Sequence, residues 1–124
     1  MDEVKRLYDR IIEMTGGDHG YISMSNLEYL LETVKDVGER LERKQAIIKK
    51  ASFLLYNIIV IHPFLNGNKR MGYELVRLFL HSNNLKLAAK STDAYDFLLR
   101  VGSGSASESE VEHWVARHLI KTRN

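Results

Sequence analysis

Pro63 is the only proline in 124 residues, and on both sides of it apolar residues recur three and four apart. A helix buries one face at that spacing, whereas a half-buried strand alternates. Val4, Leu7, Tyr8, Ile11 and Ile12 make one such face and predict a helix over residues 2–14. Glycines at 16, 17 and 20 end it, because glycine disfavours helix and permits positive φ. Ser25 with Glu28 has the form of a capping box and predicts a second helix to about residue 34. Asp36, Val37 and Gly38 form a break. A third helix is predicted over 39–60, with Leu41, Ile47, Ile48, Ala51, Leu54, Leu55, Ile58 and Ile59 as its buried stripe. The stripe widens toward its end, which implies packing on more than one side.

Pro63 stops this pattern, since a proline disfavours helix at the residue before it. A fourth helix is predicted from 67 or 68 to 81, with Leu75, Val76, Leu78, Phe79 and Leu80 apolar, and Asn83-Asn84 ends it. Ser91, Thr92 or Asp93 can cap a fifth helix to 101. Ser107 with Glu110 offers a second capping box for a last helix over 108–121, burying Val111, Trp114, Val115 and Leu119. Residues 102–107, rich in glycine and serine, are the one stretch expected to be flexible. The expected fold is all-α, a single domain over 1–124 with about six helices.

Composition removes several classes of function. Apolar residues are 44% and charged residues 27%, as in an ordinary globular protein. No apolar run approaches the roughly 20 residues that cross a bilayer. The charged start of the chain lacks the apolar stretch of a signal peptide, so the expected location is the cytoplasm, with no membrane partner. A net charge of +2, with both signs interspersed, shows no basic stripe, and no nucleic-acid partner is expected. The absence of cysteine excludes disulfides, thiolate metal sites and a cysteine nucleophile. His113 and His118 are five apart and fall on different faces of a helix, unlike a zinc pair. Gly102 and Gly104 lack the Lys-Ser/Thr of a phosphate-binding P-loop. Glu74, Arg77 and His81 read as the solvated side of the fourth helix.

Chemistry concentrates in His62-Pro63-Phe64-Leu65-Asn66-Gly67-Asn68-Lys69-Arg70. A helix start leaves about four backbone N–H groups without intrahelical partners. With the positive end of the helix dipole they form an anion site. Gly67 lets a ligand approach the backbone closely. Lys69 and Arg70 sit where cations weaken a helix, a local conflict that an anion site would produce. Arg70 can hold phosphate oxygens in a fork. His62, a residue type that titrates near neutrality, can accept a proton from an attacking hydroxyl.

The segment His-Pro-Phe-x-x-Gly-Asn-Lys-Arg resembles the active-site loop of the Fic/Doc family, His-x-Phe-x-(Asp/Glu)-(Gly/Ala)-Asn-(Gly/Lys)-Arg. The likeness extends to the first helix ending in Thr-Gly-Gly, to residues 20–31, and to the short helix, Gly/Ser-rich loop and final helix near the end. Lys69 is similar to the Doc branch, the toxins of toxin–antitoxin modules. The resemblance implies that His62 is the general base, that Phe64 anchors the loop, and that Gly67, Asn68, Lys69 and Arg70 hold nucleotide phosphates. It implies ATP or another nucleoside triphosphate with Mg²⁺ as cofactors.

Asn66 stands where most members carry Asp or Glu to hold Mg²⁺. A neutral carboxamide is a weak ligand for that ion, so either the nucleotide phosphates supply most of the metal binding, or activity is low, or this copy is degenerate. Tyr73 stands where adenylylating members have a second arginine. Both Tyr73 and Lys69 favour phosphate transfer over AMP transfer, whereas Pro63 and Gly67 resemble the adenylylating branch. Three readings follow: phosphorylation of a serine, threonine or tyrosine hydroxyl of a target protein; adenylylation of such a hydroxyl; or a nucleotide-binding module without catalysis. Resemblance to Doc further implies a translation factor as target, a growth-inhibiting role, and an antitoxin as outside inhibitor. No built-in inhibitory Ser/Thr-x-x-x-Glu-Gly/Asn motif occurs in the chain.

Overall fold

A computed structural model describes residues 1–122. The chain runs α1 (Asp2–Thr15), α2 (Met24–Thr33), a 3₁₀ turn (Val34–Asp36), α3 (Arg43–Ile61), α4 (Asn68–Ser82), β1 (Leu85–Leu87), α5 (Ser91–Gly102), α6 (Glu108–His118) and β2 (Leu119–Lys121). Among the described residues it is an all-α fold of six α-helices with one two-stranded ribbon. None of these helices is long and apolar enough to cross a membrane.

Helix α3 is the centre. It packs on α4, α5 and α6 as well as α2, and the predicted widening of its stripe is the imprint of those several neighbours. Ala51, Leu55, Ile58 and Ile59 are fully buried within one apolar cluster that draws on all six helices. Gly72 makes the α3–α4 contact close: a Cβ there would stand 3.5 Å from Ile58 and Leu55 side-chain carbons.

Several boundaries differ from expectation, each for a tertiary reason. Helix α2 is capped by Ser23, whose hydroxyl accepts from the Asn26 N–H, not by Ser25. The N–H groups of Ile22 and Ser23 both donate to the Pro63 carbonyl, which holds Ser23 extended and starts the helix after it. Helix α3 begins at Arg43 rather than 39, because residues 38–41 close a turn in which the Leu41 N–H donates to the Gly38 carbonyl at 2.9 Å. Leu41 therefore lies outside the helix and is exposed, and Leu78 on α4 is exposed as well. Helix α5 is preceded by extended Lys90 and has no side-chain cap from Ser91, Thr92 or Asp93.

The capping box of Ser107 and Glu110 forms as expected. Its helix ends at His118 instead of 121, and residues 119–121 become β2, antiparallel to β1 in the register Leu85↔Lys121, Lys86↔Ile120, Leu87↔Leu119. Residues 102–107, expected to be flexible, form a knit turn. Ser103, Gly104 and Ser105 donate back to α5 carbonyls, and Ala106 is buried.

Candidate active site

The 62–70 loop joins the end of α3 to the start of α4, so its geometry follows from how one helix stops and the next begins. His62 is the C-cap of α3 in the left-handed conformation (φ 56°, ψ 59°), and its N–H donates to the Ile58 carbonyl. Such a cap satisfies a helix end but is uncommon for a non-glycine residue. His62 Nδ1 lies 3.1 Å from the Val60 carbonyl. A carbonyl only accepts, so Nδ1 is the donor, and in the neutral form of the ring the lone pair sits on Nε2. The side chain is exposed. The fold thus presents an imidazole whose free nitrogen can take a proton from a ligand.

The loop is clasped against the segment after α1. Phe64 is fully buried, with its ring centroid 4.3 Å from that of Tyr8 and 5.6 Å from that of Tyr21. Tyr21 and Phe64 form an isolated antiparallel bridge, and the Leu65 N–H donates to the Gly20 carbonyl at 2.9 Å. The Tyr8 hydroxyl lies within hydrogen-bond distance of the Gly20 and Asn66 carbonyls, 3.0 and 3.1 Å away. Burial, with Asp9 and Tyr8 nearby, pushes the Tyr21 hydroxyl above its ordinary pKa, which keeps it neutral. Tyr8 is legible in the sequence as part of an apolar face; its polar work on the loop is not.

Gly67 adopts φ 78° immediately before α4. The Met71 N–H is the first to be satisfied by the helix, donating to the Gly67 carbonyl at 2.7 Å. The N–H groups of Asn68, Lys69 and Arg70 precede it and have no intrahelical acceptor. This is the helix start at which the sequence reading places an anion site.

The side chains around it are distributed differently from what a simple phosphate cradle needs. Asn68 is buried, and its carboxamide is spent on Phe64 alone, accepting from the Phe64 N–H and donating to the Phe64 carbonyl. It offers an anion its backbone N–H only. The Lys69 side chain lies along the end of α5, its Nζ 3.8 Å from where a Gly102 Cβ would stand. The negative end of a helix favours a cation there, so α5 relieves part of the conflict that Lys69 causes at the start of α4. Arg70 turns along its own helix toward Glu74, Nε to Oε1 at 3.4 Å, and Glu74 also holds Arg77 at 3.0 Å. Glu74 is therefore part of the site's electrostatics, although its spacing alone marks it as an ordinary surface carboxylate.

Asn66 Nδ2 donates to the Asp18 carbonyl at 3.2 Å, which leaves Oδ1 as the one side-chain atom open to a cation. No group of three or more His, Cys, Asp or Glu among the described residues could hold a metal ion. One neutral oxygen does not fit a resident Mg²⁺, which prefers several hard and usually charged oxygens. Magnesium at this loop would arrive as part of a metal–nucleotide substrate.

Tyr73 packs toward Trp114, with ring centroids 6.4 Å apart, and lines one cleft with Arg70, Glu74 and Arg77. Burial raises its pKa, with Arg77 opposing the shift and Glu74 adding to it. It supplies no positive charge to the loop.

A model of the family described as Fic/DOC matches residues 1–80, from the start of α1 to the last turns of α4, with the whole 62–70 loop inside the match. A search of curated proteins finds no match.

Proposed function

Because the chain belongs to the Fic/DOC family, a family of protein-modifying transferases that use nucleotides, we propose that its 62–70 loop transfers the terminal phosphate of ATP to a serine, threonine or tyrosine hydroxyl of another protein. The observation that carries this reading is the disposition of His62: its Nδ1 is tied to the Val60 carbonyl, so Nε2 is the nitrogen left to act. The target oxygen attacks the phosphorus, His62 Nε2 takes the hydroxyl proton, and ADP leaves. Phosphates rest on the N–H groups of Asn68, Lys69 and Arg70, with the Arg70 guanidinium drawn from Glu74. The work is mostly positioning and charge stabilisation, as phosphoryl transfer requires.

Phosphate transfer is preferred over AMP transfer because of positions 69 and 73. Lys69 replaces the glycine of adenylylating members, and Tyr73, packed toward Trp114, replaces their second arginine. The same features support a Doc-like toxin, with a translation factor as target and inhibition by a separate antitoxin. Asn66 favours a second reading, a module that binds nucleotide without transferring any part of it.

Incubation with cell extract and ATP labelled at either the γ- or the α-phosphate separates the readings. Label from the γ-position on a protein supports phosphorylation. Label from the α-position overturns it in favour of adenylylation. Nucleotide binding without label on any protein overturns both.

A further inference from the structure

Tyr8 on α1 is fully buried, yet its hydroxyl meets three backbone groups: the Gly20 carbonyl at 3.0 Å, the Asn66 carbonyl at 3.1 Å and the Gly20 N–H at 3.4 Å. A phenol carries one proton, so it donates to one carbonyl at a time while its oxygen accepts from the N–H. The Gly20 carbonyl already accepts from the Leu65 N–H at 2.9 Å. Among the described residues, the Asn66 carbonyl has no donor other than Tyr8. The proton is therefore worth most on Asn66, where it satisfies a group that nothing else satisfies.

That bond sets the plane of one peptide. The Asn66 carbonyl and the Gly67 N–H belong to the same trans peptide and point in opposite directions. With the carbonyl turned toward Tyr8, the Gly67 N–H faces away from it, and no acceptor among the described residues bonds to this N–H. Gly67 is left-handed (φ 78°, ψ 21°), and Asn68 after it opens a right-handed helix. Neighbouring residues of opposite hand gather their N–H groups into one concavity that suits an anion. The Gly67 N–H thus adds a further donor to those of Asn68, Lys69 and Arg70.

We infer that Tyr8 is a positioning residue for the phosphate site: by holding the Asn66 carbonyl, its hydroxyl aims the Gly67 N–H at a phosphate oxygen of the bound nucleotide. The inference rests on the proposed nucleotide reading and adds to it a residue outside the loop on which phosphate affinity depends. Tyr8 touches no ligand and acts through one peptide. Its ring, 4.3 Å from that of Phe64 and 5.4 Å from that of Tyr21 between centroids, packs the loop whether or not the hydroxyl is present. Packing and aiming are therefore separable by removing the oxygen alone.

The test titrates Mg²⁺-ATP into the full chain and follows amide chemical shifts in wild type, Tyr8→Phe and Val111→Ala, each below its own melting temperature. Val111→Ala removes buried volume from α6 and controls for a loss of stability alone. Wild type is expected to bind with Gly67 among the shifting amides. Tyr8→Phe should bind about tenfold more weakly, the worth of one hydrogen bond to a charged group, and its Gly67 shift should be largely lost. Val111→Ala should bind as wild type does. A second readout needs no variant: in the ligand-free protein the Gly67 amide should exchange with solvent faster than the Leu65 amide, which is bonded to Gly20. Unchanged affinity and an unchanged Gly67 shift in Tyr8→Phe overturn the inference and leave the nucleotide reading standing. An equal loss of affinity in Val111→Ala does the same, since Tyr8 would then be a structural residue only. A Gly67 amide as protected as that of Leu65 overturns the assigned orientation. Failure of the wild-type chain to bind Mg²⁺-ATP overturns the nucleotide reading and the inference with it.

Discussion

The carboxamide of Asn68 brackets Phe64: its oxygen accepts from the Phe64 N–H at 3.0 Å, and its nitrogen donates to the Phe64 carbonyl at 2.8 Å. A residue at the first position of α4 thereby fixes the loop four residues before it. The two chemistries of the loop, a histidine base at one end and bare N–H groups at the other, keep a set relation because this clamp closes the chain between them.

Removing the clamp should cost stability as well as activity. Asn68→Ala leaves the Phe64 N–H and carbonyl buried without partners, a loss of about 2–4 kcal/mol. A fall in melting temperature of about 10 °C is expected for a domain of this size. Asn68→Asp retains an acceptor for the Phe64 N–H but no donor for its carbonyl, and should lie between Ala and wild type. Thermal unfolding of the three proteins checks the order.

The glycine that precedes α4 and the one within it should respond oppositely. Gly67 needs φ 78°, and although a Cβ there would meet Ile12 at an ordinary 3.5 Å, the backbone itself is strained for alanine. Gly67→Ala should cost about 1–2 kcal/mol. Gly72 has no positive φ and its nearest contacts are also 3.5 Å. There a Cβ fits at ordinary contact distance and alanine has the better helix propensity, so Gly72→Ala should stabilise by up to about 1 kcal/mol. Equilibrium denaturation distinguishes the two.

His62 is exposed and makes its one side-chain hydrogen bond to a local carbonyl. His62→Ala should therefore leave the melting temperature nearly unchanged while transfer of label drops by about 10²–10⁴-fold, the usual worth of a general base. Full labelling by this variant would remove the base assignment. Asn66→Asp should raise Mg²⁺-dependent transfer, because a charged oxygen binds the metal–nucleotide better; an unchanged rate would show that Asn66 is no weakness.

Glu74 competes with any anion for Arg70. Both side chains are partly in water, so the pair is worth at most about 1 kcal/mol. Glu74→Gln should tighten nucleotide binding by up to about fivefold, measured by calorimetry, and the gain should disappear in the Glu74→Gln, Arg70→Ala double variant.

Glu110 is held below its ordinary carboxylate range first by the Ser107 backbone N–H and then by Arg100. A depressed folded pKa adds stability above the unfolded value and loses it as pH falls through the folded one. Glu110→Gln should therefore be less stable than wild type at neutral pH, and the gap should close in acid below the normal carboxylate range. Ser107→Ala, which removes the reciprocal partner, should cost about 1 kcal/mol at neutral pH.

The local order of the chain was legible because it is written in local spacing. Apolar spacing or capping residues marked all six helices, and α1 and α4 matched expectation to within about one residue at each end. The Ser107–Glu110 box was readable because both partners lie within four residues of each other. The loop chemistry was legible for the same reason, as His62, Gly67 and Arg70 fall within nine consecutive positions.

What the sequence could not carry depends on partners far along the chain. The start of α2 at Ser23 rests on the Pro63 carbonyl, and β2 exists because residues 85–87 lie beside it. The same distinction divides the candidate site. The sequence by itself determined which groups are present: an imidazole, a glycine, a helix start and two cations. Only the tertiary structure decided where they are spent. Lys69 lies along the end of α5, Asn66 donates to the Asp18 carbonyl, and the Tyr8 hydroxyl holds the Asn66 carbonyl, whereas the Asn68–Phe64 and Arg70–Glu74 contacts span only four residues. Local periodicity follows from the geometry of one helix, whereas the direction of a side chain is set by the neighbour that satisfies its charge or its hydrogen bonds.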